Sequence, residues 1–242
     1  MEYQGSQTKE QAFVSREWLA ALRAFATFEK TAIWINNPVY TAHCNLKIPN
    51  LRKAKAYGFE IPDTIVTNSM DELTKFASKH GGKIIYKTLT YYYEDPDIAI
   101  FTARIPDGQL VALKENLSLA PCLFQNEVAK LYELRITVVG EEIFPVRINS
   151  QTSEEASVDW RRDQMDKSLY ENYKMDTDFS RKLLGLHKDL GLTYGAYDFI
   201  VDKNGNRIFL EVNPGGQWLW LEQILGLQIS RSIAQFLVKN KI

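Results

Sequence analysis

The sequence has little of the residues that build common metal and redox sites. It holds two cysteines in 242 residues, Cys44 and Cys122, and neither belongs to a Cys-x-x-Cys or Cys/His grouping. Residues so far apart are better explained as small buried hydrophobic side chains than as a disulfide, a zinc site or a redox pair. The three histidines, His43, His80 and His187, are likewise scattered. Thiolate and imidazole chemistry therefore gives no starting point for a site.

Neither an excess of one charge nor a long apolar run is present. The formal net charge is -1 at pH 7, so the chain has no one-signed field to attract nucleic acid or an anionic membrane surface. No apolar segment approaches the ~20 residues that span a bilayer, and the amino terminus lacks the pattern of a signal peptide. We therefore predict a cytoplasmic protein that has neither nucleic acid nor membrane as a partner.

The short glycine motifs of several large enzyme classes are also missing. The sequence contains no Gly-x-Ser-x-Gly elbow of a serine hydrolase, no P-loop and no Gly-x-Gly-x-x-Gly dinucleotide motif. A phosphate group, if one is bound, must be held by other means.

Two apolar runs near the carboxyl end, 196–201 and 207–212, predict a β-hairpin. The five residues between them include Asn204-Gly205, which is typical of a tight turn. Residues on either side of a short turn lie opposite one another, and every second residue of a strand shares a face. The hairpin should therefore bring polar side chains of the two strands together.

Three of these side chains carry oxygen ligands. Asp198 lies on the first strand, and Glu211 and Asn213 lie on the second. Oxygen ligands without Cys or His suit a hard cation, and magnesium takes one or two carboxylates together with phosphates and waters. The alternative is that the two acids are ordinary exposed strand residues. Their strongly apolar neighbours favour the metal site, because an unpaired charge there would be costly.

Helices and antiparallel strands alternate through the rest of the chain. The predicted helices cover 15–28 (with Ser15 as N-cap), 44–57, 69–79, 179–190, 222–225 and 229–238. The remaining predicted strands cover 61–66, 83–87, 98–105, 122–124, 132–139 and 143–148. The aperiodic segment 88–97 predicts a loop that covers a site. This pattern predicts an α+β fold with two layers and a cleft, in which Lys47 and Lys87 face the three oxygen-bearing side chains.

Short motifs in a fixed order make the sequence similar to the ATP-grasp superfamily. They are Lys47 ahead of 51–54, the stretch 58–64, Lys87, Phe124-Gln125 leading to 134–140, Asp159-Trp160-Arg161, and 195–198 with 209–218. The last motif ends in Gly216-Gln217-Trp218. It narrows the resemblance to the ligases that cyclise ribosomally made peptides of the microviridin type, the graspetides. The resemblance implies an ATP-grasp fold, in which two α/β subdomains clamp ATP between antiparallel sheets.

The resemblance also implies three units along the chain. Residues 1–40 correspond to the end of a pre-ATP-grasp domain, of which the final helix and the segment 33–38 are recognisable. Residues 41–120 form the amino-terminal lid subdomain, and residues 121–242 form the carboxyl-terminal subdomain with the metal site. Relatives have a lid loop rich in Gly and Ser, whereas this chain has three tyrosines at 91–93. These tyrosines either pack the lid or stack on a substrate.

Functional roles follow from the resemblance position by position. The residues implied to bind ATP are Lys47 and Lys87 (phosphates), Asn126, Glu127 and Val128 (adenine, mostly through backbone) and Glu133 (ribose). The implied magnesium ligands are Asp198, Glu211 and Asn213. The residues implied to stabilise charge on the transferred phosphoryl group are Arg161, Arg135 and Arg147. For Arg147, a surface arginine on a strand is the alternative.

The activity implied is that of an ATP- and magnesium-dependent carboxylate ligase. Such an enzyme converts a peptide side-chain carboxylate into an acyl phosphate and joins it to a Ser or Thr hydroxyl or a Lys amine, with ADP and phosphate as by-products. The implied partner is a precursor peptide with leader and core, and a homodimer is left open. Two alternatives stand beside it. One is a ligase that adds amino acids to a protein tail or small molecule, and the other is a non-catalytic nucleotide-binding subunit.

Overall fold

Antiparallel strands build two separate sheets in the computed structural model, which describes residues 8–29, 31–89, 102–106, 108–152, 160 and 166–239. The strands are β1 Thr64–Thr67, β2 Ile84–Lys87, β3 Ala103–Arg104, β4 Cys122–Asn126, β5 Tyr132–Val139, β6 Glu142–Ile148, β7 Tyr170–Asn172, β8 Tyr194–Val201 and β9 Arg207–Asn213. The first sheet has the order β1-β4-β2-β3, and the second has the order β7-β6-β5-β8-β9. The helices are α1 Lys9–Phe28, α2 Pro38–Cys44, α3 Lys47–Ala56, α4 Met70–Lys79, α5 Lys114–Leu117, α6 Thr177–Asp189, α7 Leu219–Leu225 and α8 Ile229–Lys239.

The first sheet is covered by α4. This helix begins after Ser69, whose hydroxyl accepts a hydrogen bond from the backbone N–H of Glu72 at 3.5 Å. Its apolar positions recur at helical spacing, and Leu73 and Phe76 are buried against Phe124 of β4. The opposite face of the sheet is thereby left to contribute to the cleft described below.

The second sheet has two unlike faces because its central strand alternates in polarity. Leu134 and Ile136 of β5 are fully buried in a core shared with Leu183 of α6. The residues that alternate with them along the strand, Glu133 and Arg135, point to the other face, since successive strand residues alternate. One face of this sheet therefore carries the main hydrophobic core, and the other carries charged side chains.

Two elements pack with residues from the other side of the predicted boundary between units 41–120 and 121–242. Leu51 and Ala54 of α3 are buried in the same core as α6, so this helix belongs with the second sheet. β4 follows residue 120 in sequence but pairs with β1 and β2 in the first sheet. These contacts depend on long-range packing and strand pairing, which local sequence patterns do not contain, and the division into units stays a prediction.

Several elements differ in extent from the sequence prediction. α1 begins at Lys9, after a capping box formed by Thr8 and Gln11, so Ser15 lies inside the helix and is not its N-cap. The helix predicted over 44–57 is α3, which begins three residues later at Lys47, and α2 ahead of it was not predicted. The cysteines are free thiols, Cys44 buried and Cys122 half-buried. None of the helices among the described residues has the length and apolar character needed to cross a membrane.

A buried histidine in α6 makes stability depend on pH. His187 is 2% exposed, its Nδ1 lies 2.7 Å from the Tyr197 hydroxyl oxygen, and burial lowers its pKa to about 4. The native state therefore holds the ring neutral while the unfolded chain protonates below pH 6.5. We expect this group to lower the free energy of unfolding by roughly 3 kcal/mol as the pH falls from about 6.5 to about 4, and to change nothing further below that.

Urea unfolding of the wild type and of His187→Gln at several pH values checks this expectation. The variant should be less stable at pH 7 but should lose less stability than the wild type on acidification. The exposed His43 of α2 provides a control, and His43→Gln should keep the wild-type slope. Equal slopes for the wild type and His187→Gln would contradict the assignment.

Candidate active site

A cleft lies between the two sheets. Its first wall comes from β2, β4 and the residues that follow β4, and its second wall comes from β5, β8 and β9. Six of the predicted site residues line it: Lys87, Asn126 and Val128 from the first wall, and Glu133, Asp198 and Glu211 from the second. The structure therefore brings cationic and anionic groups from distant parts of the sequence to one cleft.

A β-bulge determines which residue of β9 faces Asp198. β8 and β9 pair Phe199 with Phe209 but Asp198 with Glu211, so Leu210 is an extra residue in β9. Directly opposed residues of an antiparallel pair share a face. Without the bulge Asp198 would lie opposite Leu210, and the two carboxylates would not be neighbours. The sequence predicted the convergence of the acids but not the bulge that produces it.

Asp198 is held by an arginine from the neighbouring strand. Asp198 and Arg135 are directly opposed across β8 and β5. The Nη1 of Arg135 donates to both carboxylate oxygens, at 3.0 Å to Oδ1 and 2.8 Å to Oδ2. The two side chains are only 6% and 14% exposed, so this is a largely desolvated, charge-assisted contact. Arg135 thus fixes the orientation of Asp198 from below the cleft surface.

Glu211 has its own cationic neighbour. The Nζ of Lys47, the first residue of α3, lies 3.4 Å from Glu211 Oε2. Lys47 therefore stands at the carboxylate end of the cleft, whereas Lys87 lies at the end of β2 in the opposite wall. The two lysines predicted to contact phosphates flank the cleft from two directions.

The donor set at this end fits a hard divalent cation. Asp198 and Glu211 present carboxylate oxygens on one face of the sheet, and Asn213 lies two residues beyond Glu211 on the same face. Asn213 Oδ1 accepts a hydrogen bond from the Gly215 N–H at 2.9 Å, which fixes its carboxamide. Within the described residues no group of three or more His, Cys, Asp or Glu side chains could hold a metal. Two carboxylates suit magnesium, which takes its other ligands from phosphates and water.

Glu133 lies in the second wall beside Lys130, a residue that the sequence patterns did not single out. Lys130 Nζ lies 2.7 Å from Glu133 Oε1, and the side chains are 8% and 7% exposed. Burial raises the pKa of the Glu133 carboxyl above its ordinary value, and Lys130 opposes that shift. A buried carboxylate beside the cleft is an acceptor for hydroxyl groups of a ligand, which is consistent with the predicted ribose contact.

The end of β4 offers backbone and amide groups. The N–H groups of Asn126 and Glu127 donate to Asp63 and Lys83 carbonyls at 3.1 and 2.9 Å, so they are already used. The Glu127 carboxylate is turned away to Arg104, whose Nε donates to it at 2.7 Å. Asn126 Oδ1 is buried without a hydrogen-bond partner among the described residues. Buried acceptors are normally satisfied, so this oxygen is able to accept a hydrogen bond from a ligand in the cleft.

The structure does not bring Arg147 to the cleft face of the sheet, which favours the alternative of a strand-surface arginine over a role at the phosphoryl group. Arg147 of β6 is opposed to Leu134, a core residue, whereas Arg135 is opposed to Asp198. Arg147 therefore lies on the other face of the sheet, with its guanidinium carbon 4.0 Å from the ring centre of Tyr132 and its Nε 3.1 Å from Glu171 Oε1. Neighbouring residues of a strand point to opposite faces, so a difference of one residue in position places a side chain on the other face of the sheet.

Two other predictions fall outside the described residues. They are Arg161, with Asp159 of the same motif, and the tyrosines at 91–93. Trp160, which lies between Asp159 and Arg161 in the sequence, is described. It is 6% exposed and lines the cleft, and its ring centre lies 5.8 Å from the guanidinium carbon of Arg135.

The fold is similar to that of solved ATP-grasp enzymes. The RiPP-associated ATP-grasp ligase of Chryseobacterium gregarium, in complex with ADP and a leader and core peptide, superposes with a TM-score of 0.84 and 30% identity, over 95% of this chain and 68% of that chain. The macrocyclase MdnC of Microcystis aeruginosa, bound with precursor peptide MdnA, gives 0.81 and 30%, over 97% and 72%. Macrocyclase MdnB of the same organism gives 0.75 and 31%, over 98% and 73%. No protein-family model and no curated protein sequence matches the chain.

Two antiparallel sheets facing a cleft that carries paired carboxylates define an ATP-grasp enzyme, and this confirms the predicted α+β ATP-grasp fold. At 30% identity over nearly its whole length, the chain belongs to the RiPP-associated ATP-grasp ligases.

Proposed function

We propose that this ligase closes rings in a ribosomally made precursor peptide. It would activate an Asp or Glu side chain of the peptide with ATP and join it to a Ser or Thr hydroxyl or a Lys amine. The observation that carries the proposal is that Lys87 faces Asp198 and Glu211 across one cleft, in a chain similar to ligases solved with ADP and precursor peptides.

The proposed reaction has two balanced steps. In the first, the peptide carboxylate attacks the γ-phosphorus of ATP, ADP leaves, and an acyl phosphate forms. In the second, the hydroxyl or amine attacks the acyl carbon, phosphate leaves with the carboxylate oxygen, and the nucleophile loses its proton. The product is lighter than the peptide by one water for each bond. Such a transfer is catalysed mainly by positioning and by neutralising the phosphate oxygens.

The chain's own residues supply that positioning and charge. Lys87 is placed to neutralise phosphate oxygens from the first wall. Asp198 and Glu211, held by Arg135 and Lys47, are placed to bind magnesium. When bound, Mg²⁺ would neutralise phosphate oxygens of ATP. Without magnesium, the charges of Asp198 and Glu211 are balanced by those of Arg135 and Lys47 at this end of the cleft.

The other end of the cleft would bind the nucleoside of ATP. Asn126 presents a buried oxygen that lacks a hydrogen-bond partner among the described residues, and Val128 lies beside it in the lining. Glu133, neutralised by Lys130, is placed to accept hydrogen bonds from ribose hydroxyls. These assignments, like those of the magnesium ligands, are part of the proposal. The homodimer and the cytoplasmic location stay predictions from the sequence.

Incubation with ATP, magnesium and a precursor peptide encoded beside the gene tests the proposal. We expect ADP release that depends on the peptide, and a product whose mass is lower by one water for each ADP formed. A reaction without peptide and one with magnesium removed by EDTA are the controls. A gain of amino-acid mass would instead identify a ligase that extends a substrate, and ATP binding without turnover on any such peptide would identify a non-catalytic subunit.

A further inference from the structure

One side chain from the segment between α1 and α2 is tied to the metal end of the cleft. The carboxamide of Asn36 makes four hydrogen bonds, all to backbone groups far along the chain. Its Nδ2 donates to the carbonyls of Tyr194 at 2.7 Å and Pro214 at 2.8 Å. Its Oδ1 accepts from the N–H groups of Thr193 and Tyr194, both at 2.8 Å. Both donors and both acceptor positions of the carboxamide are therefore used.

The groups that Asn36 joins belong to the two strands that carry the acids. Tyr194 opens β8, four residues before Asp198, and Pro214 directly follows Asn213 at the end of β9. We call residues 213–216 the post-β9 turn. The turn is held to β8 a second time, since the Tyr194 hydroxyl donates to the Gly216 carbonyl. Asn36 and Tyr194 together thus fix the turn relative to the start of β8.

The position of the post-β9 turn matters because Gly216 packs directly on Arg135. A Cβ atom at Gly216 would lie 2.5 Å from Arg135 Nη2 and 2.7 Å from the Cβ of Ala196. Arg135 in turn holds both oxygens of Asp198. Movement of the turn would therefore be transmitted to Asp198 through Arg135. It would also move Asn213, whose carboxamide is fixed within the turn.

We infer that Asn36 is a positioning residue for the magnesium site. It does not touch the cleft. It holds the post-β9 turn, and the turn holds Arg135 and Asn213 at their working positions. This inference rests on the proposed function, because it assigns to Asn36 an effect on the magnesium-dependent binding of nucleotide. Removing a group that hydrogen-bonds a metal ligand typically lowers metal affinity by about 10- to 100-fold, and Asn36 acts through Arg135, which is such a group for Asp198.

Calorimetric titration with ADP, with and without Mg²⁺, measures this effect directly. For the wild type we expect Mg²⁺ to strengthen ADP binding. For Asn36→Ala we expect the ratio of the two affinities to fall by about tenfold or more. Hydrogen exchange supplies a readout without nucleotide: the amides of Gly215 and Gly216 should exchange faster in the variant than in the wild type.

Asn36→Asp separates the two halves of the contact. A carboxylate can still accept from the N–H groups of Thr193 and Tyr194 but can donate to neither the Tyr194 nor the Pro214 carbonyl. It therefore keeps two of the three hydrogen bonds to residues 193–194 and loses the one hydrogen bond to the turn. We expect it to lose the magnesium effect as fully as Asn36→Ala. This variant also keeps the inference testable if Asn36→Ala does not fold.

The neighbouring Asn37 provides a matched control. Its carboxamide donates to the Ala26 carbonyl at 3.0 Å and accepts from the Val39 N–H at 2.9 Å, so it joins α1 to α2 and has no contact with the turn. Asn37→Ala should lower stability but leave the magnesium effect and the exchange of the turn at wild-type values. If both Asn36 variants behave like Asn37→Ala, the inference is overturned and the proposed function stands. If wild-type ADP binding does not respond to Mg²⁺, both are overturned.

Discussion

Glu211→Gln is expected to abolish ligase turnover while leaving the fold intact. The side chain is 21% exposed at the mouth of the cleft, and glutamine has nearly the same shape. The change removes one of the two negative charges that face each other across β8 and β9. Magnesium would then be held more weakly, and Lys47 would lose its ion pair. We expect kcat/KM for ADP release to fall by at least about 100-fold, the scale typical of lost metal ligands and phosphate-neutralising groups.

The measurement is peptide-dependent ADP release over a range of magnesium concentrations, with circular dichroism to verify the fold. Glu141, in the turn between β5 and β6, offers a control with the same chemical change at an exposed position away from the cleft. Glu141→Gln should keep wild-type activity. Turnover of Glu211→Gln at the wild-type rate would remove Glu211 from the magnesium site and would leave Asp198 without its predicted partner.

Much of the framework that carries these residues is readable from sequence because it depends on local patterns. The Asn204-Gly205 turn and the apolar runs beside it specify the hairpin of β8 and β9. Alternation in β5 likewise separates Leu134 from Arg135, and the serine before α4 marks its start. Each of these signals lies within a few residues of the element that it specifies.

The details that complete the site depend on contacts between distant residues. The ATP-grasp resemblance implied that Arg147 acts in the cleft, with a surface arginine as the alternative, but the face on which its side chain lies depends on the register between β5 and β6. Leu210 is the extra residue of a β-bulge, and no residue type in the sequence predicts a bulge there. Asn36 reaches Pro214, 178 residues away. A single sequence contains no signal for such pairings, and the ATP-grasp resemblance identifies residue types without giving their hydrogen-bond partners.

Gly216→Ala is expected to separate Arg135 from Asp198. Gly216 does not have a positive φ, so its backbone would accept alanine without strain. The obstacle is space, because the added Cβ would lie 2.5 Å from Arg135 Nη2. Arg135 is 6% exposed and cannot withdraw to water without leaving Asp198. Breaking a buried ion pair costs about 3–5 kcal/mol, since the remaining charge is left uncompensated.

Gly215 makes this prediction specific to the crowded position at Gly216, where an added Cβ would meet both Arg135 Nη2 and the Cβ of Ala196. A Cβ at Gly215 would have Asn213 Oδ1 as its nearest neighbour at 4.0 Å, and its φ is also not positive. Gly215→Ala should therefore unfold at nearly the wild-type urea concentration, whereas Gly216→Ala should unfold at a clearly lower one and lose ligase activity as well. Equal midpoints for the two variants would show that Arg135 adjusts to an alanine beneath the turn. In that case the arginine would not transmit the position of the post-β9 turn to Asp198.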